Sequence, residues 1–173
     1  QDKSDYEECI KAINHGYDFI HQGSFNNGEI RGAVDLLKRV DIPSRLGPFS
    51  YIPIECKLAS NINIKFIIQA LCYCELLIES MGNRPKTFEL YLGGGSFEYF
   101  DVDKYWAWYQ FKKNQYKSFL RNFNPNKEPE DIPGDHSNWT EFITERLKKK
   151  RDLILVHNML KTQRNKLRAK GIS

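Results

Sequence analysis

Cysteine is scarce in this chain, and none of it has a ligating spacing. Cys9, Cys56, Cys72 and Cys74 form no C-x-x-C, and Cys72 and Cys74 would point to nearly opposite sides of a helix. A zinc ribbon or a disulfide frame is therefore excluded, and reduced, mostly buried thiols of an intracellular protein are expected. Long apolar runs are missing as well. No stretch approaches membrane-spanning length, and nothing at the N-terminus has a signal-peptide pattern, so no membrane partner is expected. Internal repeats are absent. Acidic residues are almost absent from one region. From Arg146 to Lys170 run Arg146, Lys148, Lys149, Lys150, Arg151, Lys161, Arg164, Lys166, Arg168 and Lys170, against Asp152 alone. The net charge of +4 is mild but concentrated there, which reads either as a footprint for a polyanion or as solvated helix faces.

What is present suits one globular domain of 173 residues, 40% hydrophobic and 13% aromatic. Residues 5 to 21 read as a helix with Asp5 as its cap and Ile10, Ile13, Tyr17 and Ile20 at helical spacing; Gly16 is its weak spot. A turn at "FNNGE" leads to a strand in "EIRGAVDLLKRV", a loop in "DIPSRLGPFS", and a second strand in "SYIPIECKL", which makes a wide hairpin over 30 to 58. A helix over 61 to 81 carries Ile64, Ile67, Ile68, Leu71 and Ile78 as an apolar stripe and ends near Gly82. "KTFELYL" and "SFEYFDV" are strands joined by Gly93-Gly94-Gly95. A strand follows the glycines, so they make a hairpin turn and not a phosphate loop. A helix over about 103 to 122 follows, rich in aromatics, with Trp106 and Tyr109 on its buried face. The order predicts an α/β fold, a mixed central sheet flanked by helices and built around the second hairpin strand, with a helical C-terminal tail. The expected divisions are a core over 1–122, a loop over 123–137, and a basic helical tail over 138–173.

The first hairpin carries the chemistry. Asp35 interrupts the apolar "AVDLL", and Glu55 and Lys57 share one face of the second strand while Cys56 points away. Where the hairpin brings Asp35 alongside, two carboxylates and an ammonium converge. Two carboxylates that close repel unless a cation lies between them, and hard oxygen ligands suit Mg²⁺ or Mn²⁺. Such an ion activates water and stabilises charge on a scissile phosphate, and Lys57 orients the nucleophile or neutralises the transition state. A cross-strand salt bridge at a sheet edge is the alternative. Lys65, Gln69 and Tyr73 fall at i, i+4 and i+8 on the next helix, where they would hold a nucleic-acid backbone or simply form a polar core-edge stripe.

The run "IRGAVDLLKRVDIPSRLGPFSYIPIECKLASNINIKFIIQALCYCELL" resembles the RecB-like branch of the PD-(D/E)XK nucleases, in particular the subfamily fused to helicase or RNase H-like modules. That branch has a G-x-x-D strand, a D/E-x-K strand and a helix with Q-x-x-x-Y, here Gly32 to Asp35, Glu55 to Lys57 and Gln69 to Tyr73. The resemblance implies a PD-(D/E)XK restriction-endonuclease-like core. It makes Asp35 and Glu55 metal ligands together with the Cys56 backbone carbonyl, and Lys57 the catalytic lysine. Gln69, Tyr73 and Lys65 become the nucleic-acid side of the site. Glu8, with Glu7 and His15 behind it, is the candidate for a further ligand from the first helix. The implied activity is Mg²⁺- or Mn²⁺-dependent hydrolysis of DNA, single-stranded or flapped more than blunt duplex, in the cytoplasm or the nucleoid or nucleus. Helicase or other DNA-processing domains of a longer chain are the implied partners. A non-catalytic nucleic-acid-binding module of a helicase-like protein is the alternative.

Three departures from the branch stand out. Iron–sulfur members carry cysteines where this chain has Gly134 and Ser137 before Trp139, so no iron–sulfur cluster is expected. Basic positions of the relatives are Ala33, Ser60 and Asn63 here. The chain opens on Gln1 and closes on "QRNKLRAKGIS", which resembles the start of a helix-hairpin-helix element, so an excised domain is expected.

Overall fold

The structure is a computed structural model that describes residues 3–126 and 130–172; residues 127–129 of the predicted loop, and positions 1, 2 and 173, lie outside the described residues. The chain divides into two compact units, residues 1–121 and 122–173. The first is α/β, a five-stranded mixed sheet with flanking helices. Its elements are α1 (Lys3–His15), β1 (Phe19–Asn26), β2 (Arg31–Val40), β3 (Ser50–Lys57), α2 (Ile64–Met81), β4 (Thr87–Leu92), β5 (Phe97–Asp101) and α3 (Val102–Arg121). Sheet order follows chain order, so β3 is the central strand, as the pattern predicts. Only the β3–β4 pairing is parallel, and α2 provides the long connection that parallel neighbours require. Gly93 stands where the β4–β5 turn passes the end of β3: a Cβ there would lie 2.0 Å from the Leu58 carbonyl oxygen, so only glycine fits.

The first helix differs from its prediction. It begins before Asp5, which lies in its first turn, and it stops at His15. Gly16 follows with φ +81°, a left-handed conformation in which glycine readily ends a helix. Tyr17 and Ile20, though at helical spacing, lie beyond it, and Ile20 is buried in β1. That strand was hidden because its burial does not alternate. Ile20 and the run Gly23 to Phe25 are all buried, with Gln22 between them at φ +52°.

Two apolar clusters meet at α2. One joins Cys9 and Ile13 of α1 to Phe25, Val34, Leu37 and Tyr51 of the sheet and to Leu76, Leu77 and Met81 of α2. The other joins Ile67, Leu71 and Cys74 to Phe88 and Leu90 of β4 and Tyr109 of α3. Burial therefore spreads around the helix beyond the expected stripe, leaving Ile64 exposed and Ile68 half-buried. The helix itself is sharply bounded. Asn63 accepts from the Lys65 amide at its start, and Gly82, at φ +75°, closes it as expected. The four thiols are free; Cys9 and Cys74 are buried and Cys56 is exposed. No described helix is long and apolar enough to cross a membrane.

The second unit holds α4 (Thr140–Lys149) and α5 (Lys161–Arg168), with short 3₁₀ turns at Ser137–Trp139 and Leu153–Leu155. Its predicted basic tail is partly neutralised from within. Asp131 accepts from Arg146 at 3.1 Å and Lys150 at 2.9 Å, Glu130 pairs with Lys161 and Arg164, and Asp152 pairs with Arg168. The Lys150 hydrogen bond, with the charge of Arg146 behind it, holds the Asp131 carboxyl below the usual carboxylate range. A carboxylate lowered on folding stabilises the fold above its unfolded pKa, and that contribution is lost as pH falls through the lower, folded value. Acid melts should therefore show a loss of stability beginning near pH ~4, and Asp131→Asn should shrink that acid loss. An unchanged acid limb in the variant would contradict the assignment.

Candidate active site

β2 and β3 are paired from Val40–Ser50 to Leu36–Ile54, and there the ladder ends. The next residue of each strand is a carboxylate, Asp35 on β2 and Glu55 on β3. Asp35 fills the fork between the strands: its Oδ2 accepts the Cys56 amide at 2.8 Å, a donor that the ladder would otherwise have used. On the other side β3 is pinned to β4 by the register Ile54↔Glu89 to Lys57↔Leu92, so Glu55 and Lys57 project from a fixed backbone.

Glu55 is 2% exposed. Lys57 Nζ reaches its Oε1 at 2.5 Å and Gln69 Oε1 at 2.9 Å. Gln69 Nε2 donates in turn to Glu55 Oε1 at 2.7 Å and to the Tyr73 hydroxyl at 2.8 Å. Gln69 and Tyr73 are one turn apart on α2, so the helix presents both to the fork. Close approach of Tyr73 depends on Gly32: a Cβ there would lie 3.0 Å from Tyr73 Cε1. Burial pushes the Glu55 pKa up, the Lys57 hydrogen bond opposes it, and the Asp35 charge adds to the rise. Burial likewise raises the Tyr73 hydroxyl pKa, which keeps it protonated and able to donate.

Of the residues expected in the site, Asp35, Glu55, Lys57, Gln69 and Tyr73 come together. Lys65 does not join the hydrogen-bonded set: Asn63 caps its amide, and the residue is exposed. Glu8 lines a cleft of about 480 Å³ between α1 and β1 that also includes His21, Gln22 and Ser24. His15 lines a separate recess with Glu8 and Lys11, and Glu7 is exposed. Among the described residues, no three His, Cys, Asp or Glu side chains form a group that could hold a metal ion.

Gln22 was not anticipated. It would stand opposite Asp35 in the β1–β2 register, between the pairs His21↔Leu36 and Gly23↔Val34, yet that pair is not formed. Its φ of +52° turns the strand there, and Nε2 donates to Asp35 Oδ1 at 3.3 Å. A glutamine in the left-handed region costs roughly 1 kcal/mol that glycine would not incur. Gln22→Gly should accordingly fold with undiminished stability while weakening the hold on Asp35. Gln22→Val, β-branched at positive φ, should lose on the order of 1–2 kcal/mol in urea unfolding. Equal stability of the two variants would contradict the strained turn. Sequence offered no cue beyond a polar residue in a short, non-alternating strand.

Asp35 and Glu55 are both hard oxygen donors. Glu55 Oε1 is used by Lys57 and Gln69, whereas Oε2 is buried without a hydrogen-bond partner. Asp35 Oδ1 accepts from Gln22 at the long distance of 3.3 Å, and the Asp35 and Glu55 carboxyl groups lie within hydrogen-bonding reach of each other. An orphaned carboxylate oxygen beside a second carboxylate is costly, and a cation relieves both the desolvation and the repulsion. Neither models of known protein families nor curated proteins gave a match to the chain.

Proposed function

We propose that the chain is a Mg²⁺- or Mn²⁺-dependent DNA nuclease domain of the RecB-like PD-(D/E)XK type, acting on single-stranded or flapped DNA. The observation that carries the reading is the meeting of Asp35, Glu55, Lys57, Gln69 and Tyr73 where β2 and β3 part. An arrangement meant only for stability would not leave Glu55 Oε2 buried and unpartnered. The strand–strand–helix order of the three motifs also agrees with the resemblance.

Asp35 and Glu55, with the Cys56 carbonyl, would hold the cation, which supplies charge neutralisation and a more acidic water. Lys57, its side chain 19% exposed, keeps its ammonium at the mouth of the fork, where it can meet the charge that builds on a phosphate under attack. Gln69 fixes the position of that ammonium through its Oε1 and of Glu55 through its Nε2. The Tyr73 hydroxyl accepts from Gln69 and keeps its own proton for a backbone oxygen of the substrate. In-line attack by water would form one P–O bond as the scissile P–O bond breaks, and the proton that the water gives up is balanced by the one that solvent returns to the leaving oxygen.

The test is cleavage of end-labelled single-stranded, flapped and duplex DNA in Mg²⁺, in Mn²⁺ and in EDTA. Cleavage that needs the metal and favours single-stranded or flapped ends supports the reading. Salt-sensitive binding with no cleavage in either metal would replace it with a binding module.

A further inference from the structure

We infer that the apolar pocket between α2, α3 and the β1–β2 turn seats one nucleobase of a single strand whose backbone runs past the carboxylate fork. The inference deepens the proposed single-stranded substrate and rests on that reading.

The pocket encloses about 560 Å³, within the range of small-ligand sites. Ile30, Ile68 and Leu120 supply aliphatic walls, and Tyr116 offers an aromatic face. Tyr116 is 61% and Leu120 53% exposed, so the apolar surface is open to an occupant. A flat, mostly apolar body fits those walls, and every base has a π-face that stacks on tyrosine.

The rim selects an anion attached to that body. Lys112, Lys113 and Lys117 line the pocket, three ammoniums on one stretch of α3. Lys113 and Lys117 both pair with Glu29, at 3.1 and 2.6 Å, and Lys113 also pairs with Glu75. Three cations against two carboxylates leave the rim positive. Glu29 is the more exposed of the two carboxylates, and its pKa is lowered by the Lys117 and Lys113 hydrogen bonds. It acts as an internal placeholder where a phosphate would bind.

Position links the pocket to the fork. Ile68 and Cys72 line the pocket, while their immediate neighbours Gln69 and Tyr73 bond to the carboxylate set. Ile30 lies two residues before Gly32, against which Tyr73 packs. A strand held at the fork therefore has its neighbouring nucleotides beside this pocket. The site would favour single strands, because a paired base enters only at the cost of unpairing and unstacking.

The test uses the whole chain and needs no cleavage. Binding of a 5′-fluorescein oligothymidylate would be followed by anisotropy in EDTA, against oligonucleotides of equal length with one abasic site moved along them. One abasic position should weaken binding about tenfold. Tyr116→Ala should weaken the intact strand similarly and abolish the difference between intact and abasic strands, whereas Tyr99→Ala should change neither. Glu29→Gln should tighten binding by freeing two lysines, an effect that a merely structural Glu29 would not give. A flat abasic scan, or unchanged binding in both Tyr116→Ala and Glu29→Gln, overturns the pocket. If the metals give no cleavage while these shifts appear, the nuclease reading fails and the pocket stands. If cleavage occurs with a flat scan, the pocket alone fails.

Discussion

Asp35→Asn should abolish metal-dependent cleavage and at the same time raise the melting temperature. Asparagine keeps an oxygen for the Cys56 amide, so the fork should close as before. It removes the negative charge that acts on buried Glu55, whose pKa is raised by burial, against the Lys57 hydrogen bond, and further by Asp35. Relief of that repulsion is worth on the order of 1 kcal/mol, or about 2–4 °C for a chain of this size. Lys57→Ala should move stability the other way, because it leaves the Glu55 carboxylate with Gln69 alone. Its cleavage rate should fall by about 10²–10³, the usual cost of losing one positioned charge. The opposite signs are the informative part. In a salt bridge built for stability, removing either partner lowers the melting temperature. In a cation site with none bound, removing one of two repelling carboxylates raises it. Thermal melts in EDTA beside the cleavage assay separate the two, and a lower melting temperature for Asp35→Asn would refute the cation site.

The part of this site that could be read in the sequence is the part that obeys a period. Glu55 and Lys57 share a face because strand side chains alternate, and Gln69 and Tyr73 share one because helix side chains recur at four. Asp35 stands out as a charge in an apolar strand. The fork itself could not be read, since it depends on where the β2–β3 ladder ends. Gln22 was invisible for a related reason: its left-handed turn breaks the alternation that would have revealed β1. The apolar spacing of Tyr17 and Ile20 then extended the predicted α1 past Gly16. Local pattern failed at the left-handed Gln22, whereas Asp35 meets Glu55 because the β2–β3 register, continued by one residue, sets them opposite each other.

The basic tail shows the converse limit, because two of its partners, Glu130 and Asp131, precede it in sequence. Arg164 is fully buried; it donates to the Asp131 carbonyl at 3.0 Å, pairs with Glu130 and lies 3.6 Å from Asp152. Asp152 is also buried and is held by Arg168 and by the Ile154 amide. Arg164→Met should therefore cost about 3–5 kcal/mol, the penalty for leaving a buried carboxylate short of its cation. Adding Asp152→Asn, which keeps an acceptor for Ile154 and removes the charge, should recover a substantial part of that loss in a double-mutant cycle. Amide exchange over residues 140–168 reads the second unit directly, and strictly additive losses would contradict a coupled pair. Lys149, Arg151, Lys166 and Lys170 have no ion pair among the described residues, and reversing their charge should flatten the salt dependence of DNA binding with little effect on that exchange. Arg164→Met should do the reverse, leaving the salt slope unchanged while the second unit opens. Two sets of cations that look alike in sequence would then be separated by what they hold: one set holds the fold, and the other is available to phosphate.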